Sequence, residues 1–399
     1  MSWIRPRLLV ALSSMVVVLT VVGGALPMAV LHLPRDGAGS MGSAAASEPT
    51  FSIPVGATPT SVTFDPANGD LYVTDSGSNH VSVINGTANT VVGSFSAFRA
   101  PWDSAIDSST GDLYVTEAAT NNVTVFNGVT DQVAGSIPTG FAPIGAAFDS
   151  TNGDVYVANG GSANITVIDG ASRANIGSIV MNGPESFAFD PTNGFLYATA
   201  QEMNFTGANA VAVIDGATNQ ITGWIHVGST TRGIAFDPVN GDLYAVEDYT
   251  SAPFTRGGVE VIDSSTGQVV ATVFVGFMPQ GVAVDSSNNY IYVANSQDDN
   301  LTVIDGASNT VVGSIPVGAN PSGLTYDPQN GYVYVANEVS DNLTAFFGGA
   351  PPVPPPTWRN STGTGASSGL GSFLLIVGVL GIAAVMVAVL VHLGRQRKS

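Results

Sequence analysis

LTYDPQNGYVYVANEVSDNLTAFFGGAPPVPPP, residues 324–356, decides the reading of this chain. Three short runs, LTYD, VYVAN and NLTAFF, are separated by turn-forming Asp, Asn and Gly, and a proline run then ends the pattern. β-Branched and aromatic residues suit a pleated, half-buried surface, and Asn-Gly accepts the positive φ of a tight turn. Three strands are therefore expected here. The unit before this one continues into a fourth run, GSIPVG at 313–318, which residues 324–356 lack. A near copy, FSIPVG, stands at 51–56 with no three runs before it. Residues 51–56 are thus expected to supply the missing strand of the last unit.

Working outward, the same unit recurs. Tyr72, Tyr114, Tyr156, Tyr197, Tyr244, Tyr292 and Tyr334 each sit in a strand-like run, and an Asp precedes every one by seven residues. These are Asp65, Asp107, Asp149, Asp190, Asp237, Asp285 and Asp327. A further run follows most of them, as VSVIN, VTVFN, ITVID or LTVID, and the typical period is 42 residues. Each full period carries four strand signals and no helical periodicity. One four-stranded sheet of this size is marginal alone, so the units are expected to pack face to face around an axis. The fold class expected is all-β: a seven-bladed β-propeller of four-stranded antiparallel blades, closed by the N-terminal strand.

YVAN at 156–159, 292–295 and 334–337, YVTD at 72–75 and YVTE at 114–117, with the VIDG and SIPVG elements, resemble the YVTN-type β-propeller repeat. The resemblance covers residues 51–347 and implies a seven-bladed disc of the kind found in bacterial and archaeal surface proteins. Tyr197–Ala200 and Tyr244–Glu247 depart from the motif. The resemblance says little of activity, because propellers host unrelated functions.

The chain has no Cys, which excludes disulfides, thiolate metal sites and a Cys nucleophile. Its formal charge is −19. Between residues 51 and 349 there are 28 acidic residues, against Arg99, Arg173, Arg232 and Arg256 as the only Lys or Arg. That balance argues against nucleic acid as a partner, since phosphate neutralisation needs clustered cations.

Residues 370–393, LGSFLLIVGVLGIAAVMVAVLVHL, are long and apolar enough for a transmembrane helix, at roughly 30 Å or more. The basic tail at 394–399 follows, and positive-inside bias puts it in the cytoplasm. Residues 1–33 read as a signal peptide or an N-terminal transmembrane anchor, and 34–50 as a linker. The Pro/Ser/Thr/Gly stretch at 348–369 reads as a stalk. The expected location is the cell membrane, with the propeller at 51–347 on the extracellular side.

Six residues before each anchor Asp stands Pro59, Pro101, Pro143, Pro184, Thr231, Pro279 or Pro321. The next position varies as Thr60, Trp102, Ile144, Glu185, Arg232, Gln280 and Ser322. A varying position in a regular repeat, near a channel mouth, is a candidate ligand contact, and Asp103 stands beside it. The connections after Tyr197 and Tyr244 are longer than the norm, and carry Glu202, Met203, Phe205, Glu247, Asp248, Tyr249, Phe254 and Arg256. They are expected to form a binding rim. Asn85, Asn122, Asn164, Asn204, Asn300, Asn342 and Asn360 head N-x-[ST] sequons and are candidate glycosylation sites.

Catalytic sets are sparse. Only His80 and His226 fall within the repeats, and the DPxNG turns lack calcium-loop order, so no catalytic residue, metal or cofactor is assigned. The expected function is a non-enzymatic binding module for a protein, glycan or envelope component. The alternatives are a lactonase-like or lyase-like propeller enzyme with a metal at the channel mouth, with Asp103 and Glu185 as its only carboxylates, or a structural envelope component.

Overall fold

A computed structural model describes residues 50–96, 98–128, 130, 132–200, 209–248 and 256–349. The segments read as signal or anchor (1–33), linker up to residue 49, stalk beyond residue 349, transmembrane helix (370–393) and tail (394–399) lie outside them. Among the described residues, no helix is long and apolar enough to cross a membrane.

Those residues form 28 strands in seven four-stranded sheets. A lone strand β1 (Phe51–Pro54) comes first. Blade 1 follows as β2 (Pro59–Phe64), β3 (Asp70–Asp75), β4 (His80–Asn85) and β5 (Thr90–Phe95). Blade 2 is β6 (Pro101–Asp107), β7 (Asp112–Glu117), β8 (Asn122–Asn127) and β9 (Gln132–Pro138). Blade 3 is β10 (Pro143–Asp149), β11 (Asp154–Asn159), β12 (Asn164–Asp169) and β13 (Ala174–Val180). Blade 4 is β14 (Pro184–Asp190), β15 (Phe195–Ala200), β16 (Ala210–Asp215) and β17 (Gln220–His226). Blade 5 is β18 (Thr230–Phe236), β19 (Asp242–Asp248), β20 (Gly258–Asp263) and β21 (Gln268–Phe274). Blade 6 is β22 (Pro279–Asp285), β23 (Tyr290–Asn295), β24 (Asn300–Asp305) and β25 (Thr310–Pro316). Blade 7 is β26 (Pro321–Asp327), β27 (Tyr332–Asn337) and β28 (Asn342–Phe347), with β1 as its outer strand.

The closure is antiparallel, from Phe51 opposite Ala345 to Pro54 opposite Asn342. Ile53 is 4% exposed and packs with Val62, Leu71, Val73 and Ile84 of blade 1 and Leu343 of blade 7. β1 therefore fastens the last blade to the first as well as completing it. It covers only part of β28, and aromatic rings cluster beside the uncovered end, with Phe51 and Phe347 5.6 and 5.9 Å from Tyr332.

The repeated Tyr and Asp have a common physical role. The anchor Asp closes an Asx turn on the residue two further on, as Asp149 Oδ1 does by accepting from Thr151 N–H at 2.8 Å. The Tyr is buried, and its hydroxyl reaches the chain just after the third strand of the next blade. Tyr114 donates to the Gly170 carbonyl (3.0 Å), Tyr197 to Ser264 (3.2 Å), Tyr292 to Gly348 (2.6 Å) and Tyr334 back to Gly86 of blade 1 (3.4 Å). A side chain on Gly86 would meet the Gly69 carbonyl and Asp327, which is why the approach needs glycine there. The fourth residue of the Tyr run is buried against the third strand. Asn159, Asn295 and Asn337 donate to Thr166, Thr302 and Thr344 at 2.9–3.0 Å.

Candidate functional site

The innermost strand of every blade begins with a β-bulge. Pairing with the second strand breaks between Pro101 and Ser104, Pro184 and Phe187, Thr231 and Ile234, Pro279 and Val282, and Pro321 and Leu324. Shorter breaks occur at Pro59 and Pro143. A bulge leaves residues out of the ladder and re-aims them. Thr60, Trp102, Ile144, Glu185, Arg232, Gln280 and Ser322 all occupy these breaks, and all line one axial cavity of about 260 Å³. Backbones freed by the bulge knit neighbouring blades together. Thr60 Oγ1 donates to the Trp102 carbonyl (2.6 Å), Thr199 Oγ1 to Arg232 (2.5 Å), and Ser322 Oγ to Thr60 (3.1 Å).

The cavity's one Arg is paired with acidic neighbours. Arg232 lies between Glu185 of the preceding blade (3.4 Å) and Asp248 of its own (3.8 Å). Trp102 stands at the mouth, 42% exposed. Glu338 also lines the cavity, accepting from Asn320 Nδ2 at 2.7 Å, and burial raises its carboxyl above the ordinary value. Sequence reasoning missed Glu338. The signal was the residue directly after each Tyr run, which is Ser76, Ala118, Gly160, Asp248, Ser296 or Glu338 in the described blades.

Asp103 lines the cavity, but both its carboxylate oxygens are engaged. Oδ1 accepts from Ser61 Oγ of blade 1 (2.7 Å) and Oδ2 from Ala146 N–H of blade 3 (3.0 Å). Burial nonetheless raises its carboxyl, against these bonds. Asp103 holds three blades together rather than standing free for a ligand.

The rim is corrected in part. Glu247, expected in an exposed connection, is fully buried in β19 and accepts from Ser229 N–H at 2.9 Å. It is the fourth residue of the Tyr244 run, so it takes the place that Asn holds in other blades. Asp248 ends the same strand and turns to Arg232. Arg256 lies over the Phe277 ring at 5.8 Å. Glu202, Met203, Phe205, Tyr249 and Phe254, and the sequons at Asn204 and Asn360, lie outside the described residues.

Asn122, Asn164, Asn300 and Asn342 open third strands and are half-buried. Asn300 and Asn342 accept from the buried Asn295 and Asn337 at 2.8 Å. Asn85 ends β4 and donates to Asp70. His80 opens β4 and meets Asp75 at 3.3 Å, whereas His226 is exposed at the end of β17. Among the described residues, no three His, Asp or Glu side chains converge in a way that would hold a metal.

At the opposite end of the axis a second cavity of about 500 Å³ is lined by Phe64, Phe236, Tyr326 and Pro238. Val282 and Leu324 line both cavities, so the channel passes from polar to aromatic along its length.

A family model described as "Lactonase, 7-bladed beta-propeller" matches residues 227–347, and one for the NHL repeat matches residues 57–84. No curated protein matches the chain. Among solved structures, the chain resembles Kuenenia stuttgartiensis hydrazine synthase, with a TM-score of 0.66 at 21% identity, over 73% of this chain and 96% of that one. At that identity the likeness is one of fold. Seven four-stranded sheets, with the propeller and repeat matches, make this chain a β-propeller repeat protein.

Proposed function

We propose that the protein is a membrane-anchored binding module that takes its partner at the bulged mouth of the propeller, outside the cell. The observation that carries this reading is the contrast between frame and mouth. Tyr, Asp and turn residues repeat from blade to blade, while the seven bulge positions hold seven different side chains around one cavity. The resemblance to YVTN-type repeats of surface proteins supports the reading, as do the apolar segment at 370–393 and the basic tail after it. Used sequons on the exported face would be in keeping with it.

Strand direction adds an orientation. β28 runs from the mouth side, at Asn342, to the far side at Phe347, where the chain leaves for the stalk. The bulged mouth is thus at the end of the propeller opposite the exit of the chain at Phe347. The test is capture of envelope components by the full chain, compared with Trp102→Ala/Gln280→Ala and with Val92→Ser on an outer strand. Capture lost in the first variant and kept in the second supports the reading. Equal capture by all three refutes it.

A second reading, a lactone-hydrolysing propeller, is favoured by the family match over residues 227–347. The mouth fits a metal poorly, since Asp103 is engaged on both oxygens and Glu185 and Asp248 flank Arg232. One tightly bound ion per purified chain would make this the better reading.

A further inference from the structure

The mouth cavity, at about 260 Å³, lies below the roughly 300–1,000 Å³ of typical small-molecule sites, and is closer to the room one long side chain needs. Its chemistry is one-sided. The single cation, Arg232, is already held between two carboxylates, so an incoming anion would have to displace one of them. Glu338 adds an acidic group without a second Lys or Arg in the lining, while Ile144, Ile234 and Leu324 supply apolar wall. Trp102, an aromatic residue, is partly exposed at the entrance. Such a pocket suits a cationic head on an aliphatic stem, with the stem on the apolar wall and the head near carboxylates or over the ring.

The surface around the mouth carries exposed apolar side chains. Phe141 and Met278 lie just before the innermost strands of blades 3 and 6. Val339 lies in the turn between β27 and β28, and Phe274 ends β21 on the same side. They are 66%, 44%, 69% and 47% exposed. Exposed apolar groups on the same end of the propeller as a polar pocket suit a protein-binding face.

We infer that the bulged mouth docks a basic loop or terminus of a protein partner, inserting one Lys or Arg side chain into the cavity while flanking aliphatic residues rest on Phe141, Met278 and Val339. This rests on the binding-module reading and narrows it to a protein with a cationic anchor. Charge complementarity carries the choice: the propeller between residues 51 and 349 is strongly acidic, and electrostatic steering would speed encounter with a basic segment.

The test uses the full chain in detergent and three capped tripeptides, Leu-Lys-Leu, Leu-Gln-Leu and Leu-Glu-Leu, with binding read by calorimetry. Saturable binding of the Lys peptide, at least about tenfold tighter than the Glu peptide and weakened by 0.5 M salt, is expected. Phe141→Ser/Val339→Ser should weaken the Lys peptide several-fold with an unchanged melting temperature, since both side chains are exposed. Glu185→Gln/Glu338→Gln should narrow the Lys-over-Gln preference. Equal binding of all three peptides, or none, overturns the inference. If the envelope capture described above still depends on Trp102 and Gln280, only the cationic anchor falls. If that dependence is absent too, the binding-module reading falls with it.

Discussion

Replacing Ile53 by Ala tests whether the ring is held shut by β1. The side chain is 4% exposed and sits between Leu71, Val73 and Ile84 of the first blade and Leu343 of the last. Truncating a buried Ile to Ala costs about 2–5 kcal/mol, and the packing on both sides puts this site near 3 kcal/mol. That is a large part of the roughly 5–15 kcal/mol that usually separates folded from unfolded protein. The comparison is Ile315→Ala, at the equivalent position of β25 inside blade 6, where the side chain is 8% exposed. If β1 is a structural equal of the other outer strands, the two variants lose similar stability, and Ile53→Ala still unfolds in one transition. The assay is urea unfolding of the full chain in detergent, followed by tryptophan fluorescence. Val92→Ala, at a side chain 59% exposed, serves as the surface control and should stay within about 0.5 kcal/mol of the parent. An Ile53→Ala midpoint as close to the parent as Val92→Ala would show β1 to be a loose strap, and the closure argument would fail.

Tyr334→Phe should cost about 1–2 kcal/mol in the same unfolding assay, because the hydroxyl joins the last blade to Gly86 and Asn89 of the first. Asp103→Ala should lower stability by about 1–3 kcal/mol, since it strands the half-buried Ala146 N–H and frees Ser61; an unchanged melt would return Asp103 to the candidate ligand contacts. Burial raises Asp75 to about 6, opposed by the Ser82 hydrogen bond and by His80. The native state then holds this proton longer than the unfolded chain, so stability falls as pH rises from about 4 to 6 and stays lower above that. Asp75→Asn, which installs the residue found in three other blades, should therefore stabilise above pH 6 by up to about 3 kcal/mol and make little difference below pH 4. Equal gains at both pH values would refute the assignment.

Most of the fold was legible because repetition averages out local ambiguity. LYVTD or VYVAN alone is a short run of uncertain fate, but seven such runs with a fixed Asp upstream leave little room for anything but stacked sheets. The ring closure was legible for a related reason: NLTAFF ended without a fourth run, and FSIPVG supplied one. The site was less legible. The seven varying positions stood out, but that they face one cavity follows from the bulges, which no spacing announces. Asp103 looked available because its partners, Ser61 and Ala146, come from other blades and lie far off in the sequence. Glu247 was read as loop because counting from Tyr244 to the next run measures a connection, not where the strand ends. Glu338 went unnoticed because Asn337, the motif residue before it, drew the reading.

The tyrosine contact between blades has a consequence for how such a chain grows. Its acceptor is a main-chain carbonyl at Gly86, Gly170, Ser264 or Gly348, and Tyr156, Tyr244 and Tyr334 also meet an Asn side chain, Asn219, Asn309 or Asn89, in the turn that the repeat itself carries. A duplicated blade would arrive with its own donor and present a backbone acceptor to whichever neighbour it met. Units joined in this way are interchangeable parts. Gene duplication could lengthen or shorten the array with the same contact on either side, and the mouth could then diversify one position at a time wherever the bulge side chain does not hold a neighbouring blade as Thr60 and Ser322 do.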